Sequence, residues 1–88
     1  MGRHIQEDST MRPIHEIADE IRADWKKVHF AAKPYLDAML YLNHPREAYG
    51  HDSAESVIRY FLCNASSWRG ETAKRIKAEL KGMIGVKA

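Results

Sequence analysis

Basic side chains at helical spacing are the part of this sequence that could do chemistry. In "SSWRGETAKRIKAEL", residues 66–80, Lys74, Arg75 and Lys77 crowd together, with Arg69 before them and Lys81 just after. On a helical wheel Lys74, Lys77 and Lys81 share one side, and three ammonium groups there can contact a phosphate backbone. Arg75 falls elsewhere, one turn from Glu71 and one turn from Glu79, so a Glu71–Arg75–Glu79 ladder is its expected role. Arg69 lies on the apolar side near the start of the same helix. It is expected to turn inward, and joins the three lysines as a tentative nucleic-acid contact. A helix-turn-helix reading would place this helix in the major groove. Only Arg69 and Thr72 are then available to read base edges, so any such contact is expected to be sequence-tolerant.

Other reactive types are scattered. His44 and His51 flank a loop near Glu47 and Asp52. A metal needs three or four convergent ligands, and this spacing matches no metal signature. His15 and His29 are too far apart on one helix to share an ion. Cys63 has no histidine near it in sequence and is expected to be a buried or half-buried structural thiol. There is no Gly-rich phosphate loop, nucleophile elbow or paired-carboxylate motif. No catalytic residue, metal or cofactor is therefore expected. Among the aromatics, Trp25 belongs to a core stripe and Trp68 is expected as a half-buried bridge between the first and last helices. Tyr41 and Tyr49 are the best exposed candidates for recognition.

Four helices must position these groups. The first is expected from about Pro13 to Phe30, with Ile14, Ile17, Ile21, Trp25 and Val28 as one stripe and Thr10 or Arg12 at its cap. Phe30 falls off the stripe and is expected to pack elsewhere. A short second helix starts at about Pro34 and runs to Leu42. It is apolar on nearly every side, with Asp37 its only charge, which marks a central or interface element. "NHPREAYGHDS" is the main loop. The third helix should span Ser53 to Ala65, capped by Asp52 with Glu55 in reciprocal position, and should bury Ala54, Val57, Ile58, Phe61, Leu62 and Ala65. The fourth should start at Ser66 or Ser67 and stop at Gly85, burying Ala73, Ile76, Leu80, Met83 and Ile84. Gly70 leaves two readings: it lets another backbone approach closely within the fourth helix, or it ends an extended third helix.

The whole chain has 88 residues, one domain's worth, with 30% charged and 44% hydrophobic residues. That balance is globular, not disordered. Residues 1–10 lack periodicity and read as a flexible tail, with residues 11–88 as a single helical domain and Met11 as the expected natural start. Net charge is +2. Residues 1–31 and 32–52 each carry −1, whereas 53–88 hold seven Lys/Arg against three Asp/Glu, a surplus of +4. One cysteine permits no internal disulfide, and no apolar run is long enough for a signal peptide core or a bilayer span. A cytoplasmic location follows as the expectation.

"IHEIADEIRADW", "KPYLDAML" and "NASSWRGETAKRIKAEL" together resemble a group of short, functionally uncharacterised all-helical bacterial proteins often encoded on mobile elements. The resemblance covers about residues 11–84. It implies a bacterial cytoplasm and agrees with Met11 as the start, but implies no activity, cofactor or site residues.

The sequence therefore predicts an all-α, compact four-helix single domain with a short, mostly apolar second helix. The leading functional expectation is a non-enzymatic binding or accessory module acting through a protein partner or as a homodimer. The alternative is weak, sequence-tolerant nucleic-acid binding through Lys74, Lys77, Lys81 and Arg69.

Overall fold

Apolar periodicity sets where the helices lie, and tertiary contacts set where they end. The structure, a computed structural model, describes residues 12–50 and 52–85. The expected tail, Met11 and His51 lie outside the described residues. Helix α1 is Ile14–Asp24, α2 is Lys33–Met39, α3 is Ala54–Cys63 and α4 is Glu71–Met83. Two-residue strands, β1 (Ala48–Tyr49) and β2 (Asp52–Ser53), pair antiparallel between α2 and α3, with Ala48 opposite Ser53 and Tyr49 opposite Asp52. The domain is all-α, with four helices and this one small hairpin among the described residues.

α1 buries Ile14, Ile17, Ala18 and Ile21, the stripe that the spacing predicts. Its start is capped by other backbone and not by a side chain. Pro13 is the N-cap, the Ile14 N–H donates to Asn43 O at 3.0 Å and the His15 N–H to Leu42 O at 2.9 Å. Two of the four N–H groups that any helix leaves unpaired are thereby satisfied by the chain leaving α2. The helix ends at Asp24 and not at Phe30. Trp25 leaves helical geometry (φ −93°, ψ 88°), and its indole stacks on Trp68 at 5.7 Å between centroids and 11° between planes. Phe61 of α3 meets both indoles edge-on, at 6.2 and 6.4 Å. Burying this aromatic trio takes precedence over continuing the helix, since each ring removes a large apolar area from water. Phe30 is then stranded in the α1–α2 linker, 81% exposed, with its ring against His29. The expectation that it packs elsewhere is corrected.

α2 begins with Pro34 in its first turn and then tightens. Leu40, Tyr41 and Leu42 donate to carbonyls three residues back, at 3.2, 3.0 and 3.2 Å, the pattern of a 3₁₀ turn. Leu36, Ala38, Met39 and Leu42 are buried, Leu40 only partly, and Tyr41 is 80% exposed. The helix is central on one side only. α2 packs on α3 and α1, and α4 closes the domain against α1 and α3.

α3 buries Ala54, Val57, Ile58 and Phe61, with Ala65 beyond its end, as expected, while Leu62 is half-buried. Its cap is one residue later than expected. Asp52 pairs with Tyr49 in the hairpin, and the Ser53 side chain accepts the Ser56 N–H at 3.1 Å. Neither reading of Gly70 holds. Residues 64–70 form a connection, and Gly70 is the N-cap of α4 at φ 114°, ψ 179°, a conformation open essentially to glycine alone. Gly85, at φ 75°, stops the helix as predicted.

Candidate functional site

Folding of residues 64–70 beneath α4 changes what its basic face presents. Trp68, only 2% exposed, donates its Nε1–H to Asp24 Oδ2 at 2.8 Å. This is a bridge to the end of α1, deeper than the half-buried one expected. The Trp68 carbonyl accepts from Lys77 Nζ at 2.7 Å, and the ammonium lies 5.8 Å from the Trp68 ring centroid. Burial pulls the Lys77 pKa below the usual lysine value, with the nearby charges of Lys81 and Arg69 adding to the effect. Lys77 thus secures the connection and is the least free of the three lysines.

Lys74, Lys77, Arg69 and Trp68 line one shallow depression of about 310 Å³. Arg69 is exposed there, so the expectation that it turns inward is corrected. Lys81 is half-buried one turn further on and does not line the depression. Arg75 makes no ladder with Glu71 and Glu79. It donates to Glu20 of α1, while Glu79 is held by Arg12 through two hydrogen bonds, Nε to Oε2 at 3.0 Å and Nη2 to Oε1 at 2.8 Å. Arg12 Nη1 also reaches Glu20 Oε1 at 2.9 Å. Arg75 is neutralised across the α1–α4 seam and not along its own helix. The two guanidinium groups, Arg75 the stronger, hold the Glu20 carboxyl below its usual pKa.

A second basic group lies outside the basic stretch that the sequence singles out. The end of α1, the linker and the first turns of α2 enclose a cleft of about 390 Å³. Arg22, Lys26, Lys27 and Lys33 rim it, with Asp37 the only carboxylate among its lining residues, and Trp25 and Leu36 form its floor. All four cations are exposed, and none forms an ion pair with a carboxylate among the described residues. The two basic groups are separated by the Trp25–Trp68 stack, with Asp24 on Trp68.

The remaining candidates stay apart. His44 Nδ1 accepts the Arg46 N–H at 3.1 Å, and Glu47 Oε1 accepts the Asn43 N–H at 2.6 Å, so both order the loop before the hairpin. The backbone N–H groups of Asn43 and His44, both donating to Glu47 Oε1, hold the Glu47 carboxyl below its usual pKa. Among the described residues no three His, Cys, Asp or Glu side chains gather as a metal site. Cys63 is exposed, which corrects the expectation of a buried or half-buried thiol. Tyr41 is exposed as expected, and Tyr60, at 48%, joins it with its ring 5.5 Å from Tyr35. Among the described residues no helix is long and apolar enough to cross a membrane. No family, curated protein or solved structure matches the chain.

Proposed function

We propose that this chain is a small non-enzymatic binding module of the bacterial cytoplasm, acting through a protein partner or by self-association. The observation that carries this reading is the exposure of Phe30 (81%), Tyr41 (80%) and Tyr60 (48%), while the other large apolar side chains among the described residues are buried or half-buried. Aromatic side chains left in water are the usual anchors of protein interfaces, because covering them removes a large apolar area at low entropic cost. Substituting exposed residues alters stability by no more than about 0.5 kcal/mol in most cases, so alanine at Phe30 and Tyr41 separates binding from folding. Sedimentation across a concentration series detects self-association, and co-purification from the native host, with identification of what stays bound, detects a partner. The double variant should melt like the native chain and lose the association. Association unaffected by both substitutions would remove the aromatic surface from the argument.

The second reading is sequence-tolerant nucleic-acid binding by α4, favoured by the common depression of Arg69, Lys74 and Lys77 beside Trp68. With Lys77 engaged on a carbonyl, two cations remain for phosphates there. The slope of log K against log salt should then be about −2, since each neutralised phosphate contributes about −0.9. Glutamine at Arg69 and Lys74 should abolish it with the fold intact. No salt-dependent binding to random DNA or RNA at about 50 mM salt would eliminate this reading.

A further inference from the structure

The cleft at the α1–α2 corner holds a charge arrangement that folding alone leaves unresolved. Elsewhere the arginines that form ion pairs do so within the domain: Arg12 with Glu20 and Glu79, Arg59 with Glu55, Arg75 with Glu20. Around this cleft four cations meet one carboxylate. Like charges brought this close repel, and cleft walls of low dielectric strengthen their field at the opening. An anion entering the cleft turns that repulsion into attraction.

The surroundings narrow the class of anion. Trp25, 7% exposed, and Leu36, 2% exposed, close the base of the cleft, and half-buried Val28 beside them offers the apolar contact there. Phe30, exposed, lies in the linker between Val28 and Lys33, two residues that both line the cleft. An occupant therefore meets a mainly polar rim of cations and a small apolar contact at its base. Asp24 and Asp37 then discriminate between polymers. Asp37 lies within the cleft, and exposed Asp24 is fixed on Trp68, whose ring stacks on the Trp25 floor. A phosphodiester chain carries a charge at every unit and cannot avoid placing some of it against these carboxylates. A polypeptide can set its charges apart and present neutral or apolar side chains between them.

We propose that this cleft docks an acidic segment of a protein partner. Two or more carboxylates engage Arg22, Lys26, Lys27 and Lys33, and an apolar side chain between them rests against Val28. The proposal rests on the reading of the chain as a protein-binding module and names where and what that module grips.

The test is fluorescence anisotropy with the full chain and three labelled probes: a decapeptide with four glutamates around a central leucine, the same peptide with glutamines, and a 20-nucleotide oligo-dT. The glutamate peptide should bind, and its affinity should fall about tenfold between 50 and 200 mM salt, as screening of several charge pairs requires. The glutamine peptide should not bind. Lys26→Glu with Lys27→Glu, both exposed outside the helices, should weaken the glutamate peptide at least about tenfold with the thermal melt unchanged, whereas Lys74→Gln with Lys81→Gln should leave it unaltered. Absence of glutamate-peptide binding at 50 mM salt, equal binding of the glutamine peptide, or survival of binding in the charge-reversed variant overturns the proposal. So does tighter binding of oligo-dT that is lost in that variant, which would make the cleft a phosphate site. A native partner retained by the charge-reversed variant and lost on alanine substitution of Phe30 and Tyr41 keeps the module reading and removes the cleft. Absence of any protein association in the native chain removes the module reading itself.

Discussion

Replacing Trp68 with phenylalanine tests whether the indole, and not merely an aromatic ring, holds the connection between α3 and α4 in place. The ring is 2% exposed, stacked on Trp25, edge-on to Phe61, and bonded through Nε1–H to Asp24. Phenylalanine keeps an aromatic plane but gives up about 40 Å² of buried apolar area, worth about 1 kcal/mol at about 25 cal/mol per Å². A void of about 35 Å³ that the neighbours fill only in part adds roughly 0.8 kcal/mol. Loss of the hydrogen bond contributes about 0.5–1 kcal/mol, the lower part of the usual range, because exposed Asp24 turns to water. The expected loss is about 2–3 kcal/mol, a large share of the roughly 4–13 kcal/mol total for a domain of this size. Urea unfolding followed by circular dichroism at constant slope measures it, and the thermal midpoint should fall by about 10–20 °C. Pairing the change with Asp24→Ala in a double-mutant cycle should give a coupling of about 0.5–1 kcal/mol. A loss for Trp68→Phe below about 0.5 kcal/mol would refute the packing argument. A coupling of zero would show that the Asp24 bond contributes nothing.

Three further outcomes follow from other parts of the domain. Gly70→Ala should cost about 1–3 kcal/mol in urea unfolding although a Cβ there meets no atom within 4 Å, because the loss comes from φ 114° alone; unchanged stability would mean that the N-cap geometry of α4 is wrong. In acid, Glu20 binds fewer protons folded than unfolded, so its stabilisation is complete above the ordinary carboxyl value of 4.5 and is lost as pH falls through the lower folded value; Glu20→Gln should flatten the stability profile below that pH, and identical profiles would dissolve the α1–α4 ion-pair network. Leu36→Ala and Met39→Ala should each cost about 2–5 kcal/mol, whereas half-buried Leu40→Ala should cost about 1 kcal/mol; equal losses at all three positions would contradict the one-sided burial of α2.

The buried faces were legible because helical periodicity survives folding. Ala54, Val57, Ile58, Phe61 and Ala65, or Ala73, Ile76 and Leu80, are buried where their spacing places them. The helix ends were not, since most are decided by distant partners. No local signal says that Leu42 and Asn43 carbonyls will cap α1, or that hairpin pairing will occupy Asp52 and leave the capping to Ser53. The early end of α1 has the same origin. Phe30 could be assigned to that helix only while the indole of Trp25 was free to stay on the stripe, and its stack with Trp68 comes from 43 residues away in sequence.

The basic surfaces divide on the same physical ground. Lys74, Lys77 and Lys81 do share a helical side, but the wheel cannot show that the Trp68 carbonyl folds back beneath Lys77. Arg75 was rightly expected to be neutralised, and the partner was wrong because the carboxylate one helix away lies within direct reach. The cleft cations were missed for a different reason. Arg22, Lys26 and Lys27 lie in a segment whose net charge is −1, and Lys33 lies in the next. Segment sums cancel them against Glu16, Asp19, Glu20 and Asp24. Folding undoes much of that cancellation: Glu20 is drawn to Arg12 and Arg75 at the α4 seam, and the bend at Trp25 brings Lys33 round to Arg22. A chain with a surplus of only two positive charges thus concentrates four beside one carboxylate, and it does so with the same contacts that close its core.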